Sequence, residues 1–181
     1  MDASTFLNPA SVISATHLHE GMYVADLGAG SGFFTRAAAR AVGDSGVVWA
    51  VDQRGDLLPR LKNLAAGEGL SNVEVVQGDA QVVGGTHLPE GAFDMAIAAN
   101  ILFTLEDKNE FVAEIRRILK KSGQVLVIDW SASYGGLGPH EGHVVTRAAA
   151  LKMFEQQHFS LVRDVPAGEY HWGFIVRKKS A

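Results

Sequence analysis

The chain has 181 residues, 47% of them apolar and 20% charged, with a net charge of −4. That length suits one domain with a substantial core, and the small acidic balance argues against a nucleic-acid partner. The absence of cysteine excludes disulfides, thiolate metal sites and a cysteine nucleophile.

The N-terminal stretch Met1–Pro9 has no charged region followed by an apolar one, and no apolar run approaches 18 residues. A cytoplasmic chain without signal peptide or membrane span is therefore expected. Residues 8–20 read as a short helical lead-in: Asn8 caps, Pro9 takes the first position, and Val12, Ile13 and Leu18 supply an apolar side. His17 and His19 read as surface residues.

The first strand is expected at 22–27. It runs into Asp26-Leu27-Gly28-Ala29-Gly30-Ser31-Gly32, and a helix follows at 33–42. The spacing is not the G-x-G-x-x-G of dinucleotide sites, because the last glycine would fall on Phe33, and no Gly-Lys-Ser/Thr follows for a P-loop. A carboxylate two residues before the turn repels a pyrophosphate and attracts a ligand carrying an amino group. Glycines permit the sharp turn and a close backbone approach. The free N–H groups of the next helix suit an anion. The second strand, Val47–Val51, is continuously apolar, as in a parallel sheet covered on both faces. It ends in Asp52-Gln53, 24 residues beyond Gly28. An acid there either accepts both hydroxyls of a ribose or caps the next helix.

A helix is expected at 55–67 and a third strand at 73–77, ending in Gly78-Asp79-Ala80. Residues 81–92 show little periodicity. A fourth strand at 93–98 leads to Asn100. An amphipathic helix at 107–120 carries Phe111, Val112, Ile115, Ile118 and Leu119 on one face, and Ser122-Gly123 precede a fifth strand at 124–130. Four glycines in residues 131–143 mark a mobile loop after a strand end, the place where open α/β sheets bind ligands, and it is read as a substrate lid. A helix at 144–157 and strands at 159–165 and 170–177 complete the chain. The turn Pro166–Glu169 is too short for a parallel connection, so these last two strands pair antiparallel.

The Asp26–Thr35 stretch resembles the first motif of class I S-adenosylmethionine (SAM)-dependent methyltransferases. Phe111–Trp130 is also similar to the group that includes ubiquinone/menaquinone-biosynthesis and arsenite methyltransferases. The resemblance covers nearly the whole chain and implies a Rossmann-like α/β sandwich. Its sheet would have seven mostly parallel strands in the order 3-2-1-4-5-7-6, with a C-terminal antiparallel hairpin. It implies SAM as cofactor, S-adenosylhomocysteine as product, and binding by Asp26, Gly28, Ala29, Gly30, Gly32, Asp52, Gln53, Asp79, Ala80 and Asn100. Asp79 would accept the adenine amino group and Ala80 N–H meet a ring nitrogen, or Asp79 is a turn aspartate. Asn100 would line the methionine end, or close a strand-end turn.

Asn100 opens no Pro-Pro-Tyr motif, which argues against adenine or glutamine N-methylation. Phe103 stands where the group often has histidine, and the lack of cysteine excludes arsenite methylation. The motifs are silent on the acceptor. If it must lose a proton, His140, Glu141, His143, Tyr170 and His171 are the candidate bases, with no metal site expected from His-Glu-x-His. Trp130 or Trp172 is expected to face the sulfonium or a cationic acceptor, or to cover the core edge. The expected function is methylation of a small molecule by a monomer or homodimer. The alternatives are a non-catalytic SAM-binding sensor or partner subunit, and a protein or RNA methyltransferase that works with a partner.

Overall fold

The computed structural model describes residues 6–180. Seven strands, β1 (Tyr23–Leu27), β2 (Val47–Asp52), β3 (Val73–Gln77), β4 (Phe93–Ala99), β5 (Leu119–Trp130), β6 (Phe159–Asp164) and β7 (His171–Lys178), form one sheet. Their order is β3-β2-β1-β4-β5-β7-β6, the order expected. The first five pair parallel, and β7 lies antiparallel between β5 and β6.

Five helices cover the sheet: α1 (Pro9–Ser14), α2 (Phe33–Val42), α3 (Leu57–Gly67), α4 (Lys108–Ile118) and α5 (Arg147–Gln156). Strand side chains alternate between faces, so one strand feeds two cores. Val24, Ala50, Ile97 and Leu126 pack with Val12, Phe34, Ala38 and Leu61 of α1–α3. Ala25, Val51, Ala96 and Val127 pack with Phe111, Ile115 and Phe154 of α4 and α5. With both faces covered, a ligand has room only beyond the strand ends.

The expected boundaries shift at three places. The lead-in helix stops at Ser14, where the Thr16 hydroxyl bonds the Ile13 carbonyl and receives the Leu18 N–H. Helix α4 stops at Ile118 rather than 120, and β5 starts at Leu119 rather than 124. There Leu119 pairs with Phe93, and Lys178 Nζ on β7 donates to the carbonyls of Arg116 and Leu119 at 2.7 Å each. Helix α5 starts at Arg147, capped by Thr146.

No helix forms between β3 and β4. That connection is held by Glu114 of α4, whose fully buried carboxylate accepts from the Gly84 N–H (2.7 Å), the Thr86 hydroxyl and Arg117 Nε (2.7 Å). Burial alone would raise its pKa, but these hydrogen bonds prevail and lower it.

Candidate functional site

The ends of β1, β2 and β4 open into a cavity of about 910 Å³. The glycine loop forms its floor. Gly28 and Ala29 donate to the Val51 carbonyl at 2.8 and 3.0 Å, which stitches the loop to β2. The three glycines have different physical reasons. A Cβ on Gly28 would sit 2.3 Å from Ile101 Cδ1, and one on Gly32 would sit 2.5 Å from Leu61 Cγ. Packing holds both positions to glycine, although Gly28, like Ala29, also lines the cavity. Gly30, at φ +53°, would meet no atom nearer than 4.0 Å, so it presents bare backbone to open space.

Asp26 is only 2% exposed and reaches the cavity. Its Oδ2 accepts from Thr35 Oγ1 of α2 at 2.5 Å. Burial pushes its carboxyl up from 3.8 to about 6; the Thr35 hydrogen bond opposes this and the neighbouring Asp52 charge adds to it. A ligand ammonium beside it would restore the charged form. Asp52 closes β2 with both oxygens engaged: Oδ2 accepts from Gly30 N–H and Oδ1 from Arg54 N–H, each at 2.9 Å. Each oxygen keeps lone-pair capacity for a hydroxyl.

Gln53 and Ala80 also line the cavity, with Gln81 beside them. Asp79 does not. Its Oδ1 accepts from Gln53 Nε2 and Gln81 N–H, each at 2.8 Å, so it orients two lining residues from behind. Gly32 is likewise set back from the cavity. Asn100 lines it in a left-handed conformation, φ +54°, and its buried Oδ1 has no partner.

Of the five candidate bases, the structure brings only His171 to the cavity. His140, Glu141 and His143 are exposed in and beside a short 3₁₀ turn. Tyr170 packs between Phe6 and Tyr134, with ring centroids at 5.4 and 4.8 Å. Trp130 lines the cavity. Trp172 instead donates to the Val145 carbonyl at 3.0 Å and stacks on Phe174. Residues 131–143 line none of it. They touch it indirectly, since a Cβ on Gly138 would lie 2.6 Å from the Trp130 indole.

Several lining residues carried no sequence signal. Phe6 and Leu7 precede any periodic element, yet they form part of the wall with Pro9, Phe33 and Leu105. Asp129 lies in the expected fifth strand, with nothing in the sequence to mark it. It is buried, its oxygens accept from the N–H groups of Leu102 and Trp130 at 2.8 Å each, and burial raises its pKa to about 6. It anchors the turn that follows Asn100. Phe103, in that turn, does not line the cavity.

A family model described as a methyltransferase domain matches residues 18–166. The chain belongs to the methyltransferase domain family. A ubiquinone/menaquinone biosynthesis C-methyltransferase of Legionella pneumophila (strain Lens) is 32% identical over 129 residues, 70% of this chain and 50% of that enzyme. Its counterpart in Hahella chejuensis is 30% identical over 120 residues, 66% of this chain and 47% of that enzyme. This family member thus spans about half the length of those relatives. Among solved structures, a SAM-dependent methyltransferase from Aquifex aeolicus superposes with a TM-score of 0.86 at 26% identity, covering 97% of this chain and 93% of that one. The [4+2]-cyclase SpnF shares the methyltransferase-family fold at 18% identity, with a TM-score of 0.76 over 94% of this chain and 79% of that one.

Proposed function

We propose that this chain is a cytoplasmic SAM-dependent methyltransferase acting on a small-molecule acceptor. The observation that carries the reading is one cavity lined by Asp26, Gly30, Asp52 and Asn100, in a chain of the methyltransferase family. The residues fit SAM. Asp26, which no cation pairs among the described residues and which burial raises, suits the ammonium, and Asn100 Oδ1 lacks a donor among them. Asp52 suits the ribose hydroxyls. Gly30 allows the ligand to lie against the loop, with Gln53, Ala80 and Gln81 at the adenine end and Asp79 steadying them.

When bound, SAM supplies an electrophilic methyl on a sulfonium that leaves as a neutral thioether. The protein's work is to hold the acceptor in line with that methyl and to keep water out, an effect of proximity and orientation. At about 910 Å³ the cavity is near the upper end of ordinary single-ligand pockets, which run to roughly 1,000 Å³. No helix among the described residues is long and apolar enough to cross a membrane.

Calorimetry with S-adenosylhomocysteine tests the reading. Wild type should bind. Asp52→Ala should bind about tenfold to a hundredfold more weakly, the loss of a charge-assisted hydrogen bond worth about 1.5–3 kcal/mol. Asp52 also anchors Gly30 and Arg54, so Asp52→Asn, which keeps an acceptor oxygen, should lose less. An unchanged Kd in folded Asp52→Ala would remove Asp52 from the site, and NAD or ATP binding in place of S-adenosylhomocysteine would overturn the reading.

A further inference from the structure

The cavity has a second end, three strands from Asp26 across the sheet, or about 14 Å between backbones at the usual strand spacing. There Trp130 on β5 and His171 on β7 stand opposite each other in the antiparallel register, their rings 4.2 Å apart and inclined by 40°. Both line the cavity, together with Ile101, Thr104 and Leu105. Both ring nitrogens of His171 are buried and neither has a hydrogen-bond partner. A neutral imidazole carries one N–H and one lone pair, so this group has two unmet needs in the wall of the cavity, which a turn of the ring would present to a ligand.

The surroundings limit what that ligand is. Among the described residues, the charged ones lining the cavity are Asp26, Asp52 and Arg54, all on the β1–β2 side. Ile101 and Leu105 offer an ionic acceptor no counter-charge, and the His171 ring packs against the Trp130 indole that could otherwise attract a cation. Burial alone lowers the His171 pKa, to about 4, with no charged neighbour contributing, so the ring is neutral at neutral pH.

We propose that His171 receives the hydrogen bond of the methyl acceptor and takes its proton, and that the acceptor is an uncharged, largely apolar molecule presenting an O–H or N–H at this end. The proposal rests on the cofactor assignment above. As the acceptor's lone pair forms its bond to the methyl carbon, the C–S bond breaks and its electron pair stays on sulfur. The acceptor's O–H or N–H bond then breaks, and the proton passes to the lone pair of His171. That proton becomes far more acidic as the new bond forms, so a weakly basic imidazole suffices. Trp130 positions the imidazole, and the close approach of Gly138 to the indole fixes Trp130.

The test uses the full chain saturated with S-adenosylhomocysteine and two probes of the same apolar body, 2-naphthol and 2-methoxynaphthalene. Wild type should bind 2-naphthol about tenfold more tightly, the size of one hydrogen bond. Its His171 imidazole signals, assigned by NMR from their loss in His171→Phe, should move with 2-naphthol and not with the ether. His171→Phe should lose the preference while its affinity for S-adenosylhomocysteine stays unchanged. His171→Gln, which keeps an acceptor oxygen, should retain part of it. Equal binding of the two probes, no binding of either, unmoved His171 signals, or a preference that survives in His171→Phe would each overturn the proposal. Failure of wild type to bind S-adenosylhomocysteine would instead fall on the cofactor assignment, and the probe comparison without it would still read His171.

Discussion

Three glycines at alternate positions look equivalent on paper, and their neighbours make them different. Gly30→Ala adds a methyl where nothing lies within van der Waals reach, at φ +53°. It should fold with a loss of about 1–2 kcal/mol for the left-handed backbone, and its Kd for S-adenosylhomocysteine should rise at least about tenfold because the methyl occupies ligand space. Gly30→Val should abolish binding. Gly32→Ala drives its methyl into Leu61 in the core and should fail by instability instead. Thermal melts beside calorimetry separate the two, and a stable Gly32→Ala with lost affinity would reverse the assignment. Asp26 adds a pH dependence. Its carboxyl titrates near 6 and must be ionised to hold an ammonium. Affinity for S-adenosylhomocysteine should therefore fall about tenfold per pH unit below 6, and Asp26→Asn should flatten the profile. A wild-type Kd constant from pH 5 to 7 would contradict the ammonium role.

Among the elements, the connection between β3 and β4 depends most on a distant partner. It has no helix of its own, yet it carries Ala80 and Gln81 to the cavity. Glu114 of α4 supplies what the segment lacks, a buried acceptor for the Gly84 and Thr86 groups, with Arg117 as counter-charge. Removing one partner of a buried charge network leaves the others unpaired, so Glu114→Ala should cost about 3–5 kcal/mol in urea unfolding. S-adenosylhomocysteine affinity should fall with it, as the adenine-side residues lose their support. A loss below about 1 kcal/mol would reduce the network to a surface-like ion pair. The 131–143 loop shows the reverse case. Gly135 and Gly136 form a turn closed by Tyr134 and Leu137, Gly138 alone of its glycines approaches Trp130, and the loop's influence on the cavity passes through that indole.

At the level of the whole molecule, burial at the sheet's ligand edge is a stability cost that a ligand can offset. Asp26 and Asp129 both rise from 3.8 to about 6 on folding. A raised carboxyl binds its proton more tightly in the folded state, so its contribution is full below about 3.8 and is lost as pH climbs through 6. Glu114 is lowered, so its contribution is present above its ordinary 4.5 and lost as pH falls through the lowered value. His171, lowered from 6.5 to about 4, opposes the two raised carboxyls, because its contribution is lost as pH falls below 6.5, but one imidazole offsets only part of their effect. The free protein should therefore melt modestly higher at pH 5 than at pH 7. The gain in Tm from S-adenosylhomocysteine should be larger at pH 7, because an ammonium beside Asp26 removes part of the penalty. Scanning fluorimetry at both pH values checks this. A free-protein Tm that rises between pH 5 and 7 would contradict it.

The sheet order came from the resemblance to the methyltransferase family. The final antiparallel pair and the elements themselves were legible from local patterns: continuous apolar strands, helices of 3.6 periodicity between them, and a last turn too short for a parallel crossover. So was the β1–glycine–α2 corner with Asp26 and Asp52 at its strand ends, because that chemistry lies in consecutive residues. Other features were settled only by contacts between distant residues. Lys178 ends α4 early, Asp79 turns toward Gln53, and Phe6 and Leu7 reach the cavity wall. The five candidate bases were indistinguishable in sequence, since each was a polar residue near a loop. Only the antiparallel register that sets His171 against Trp130 buries one of them beside the cavity with its nitrogens unpaired. Burial is a property of what surrounds a residue, and for His171 those surroundings come from β4, β5 and β7 together.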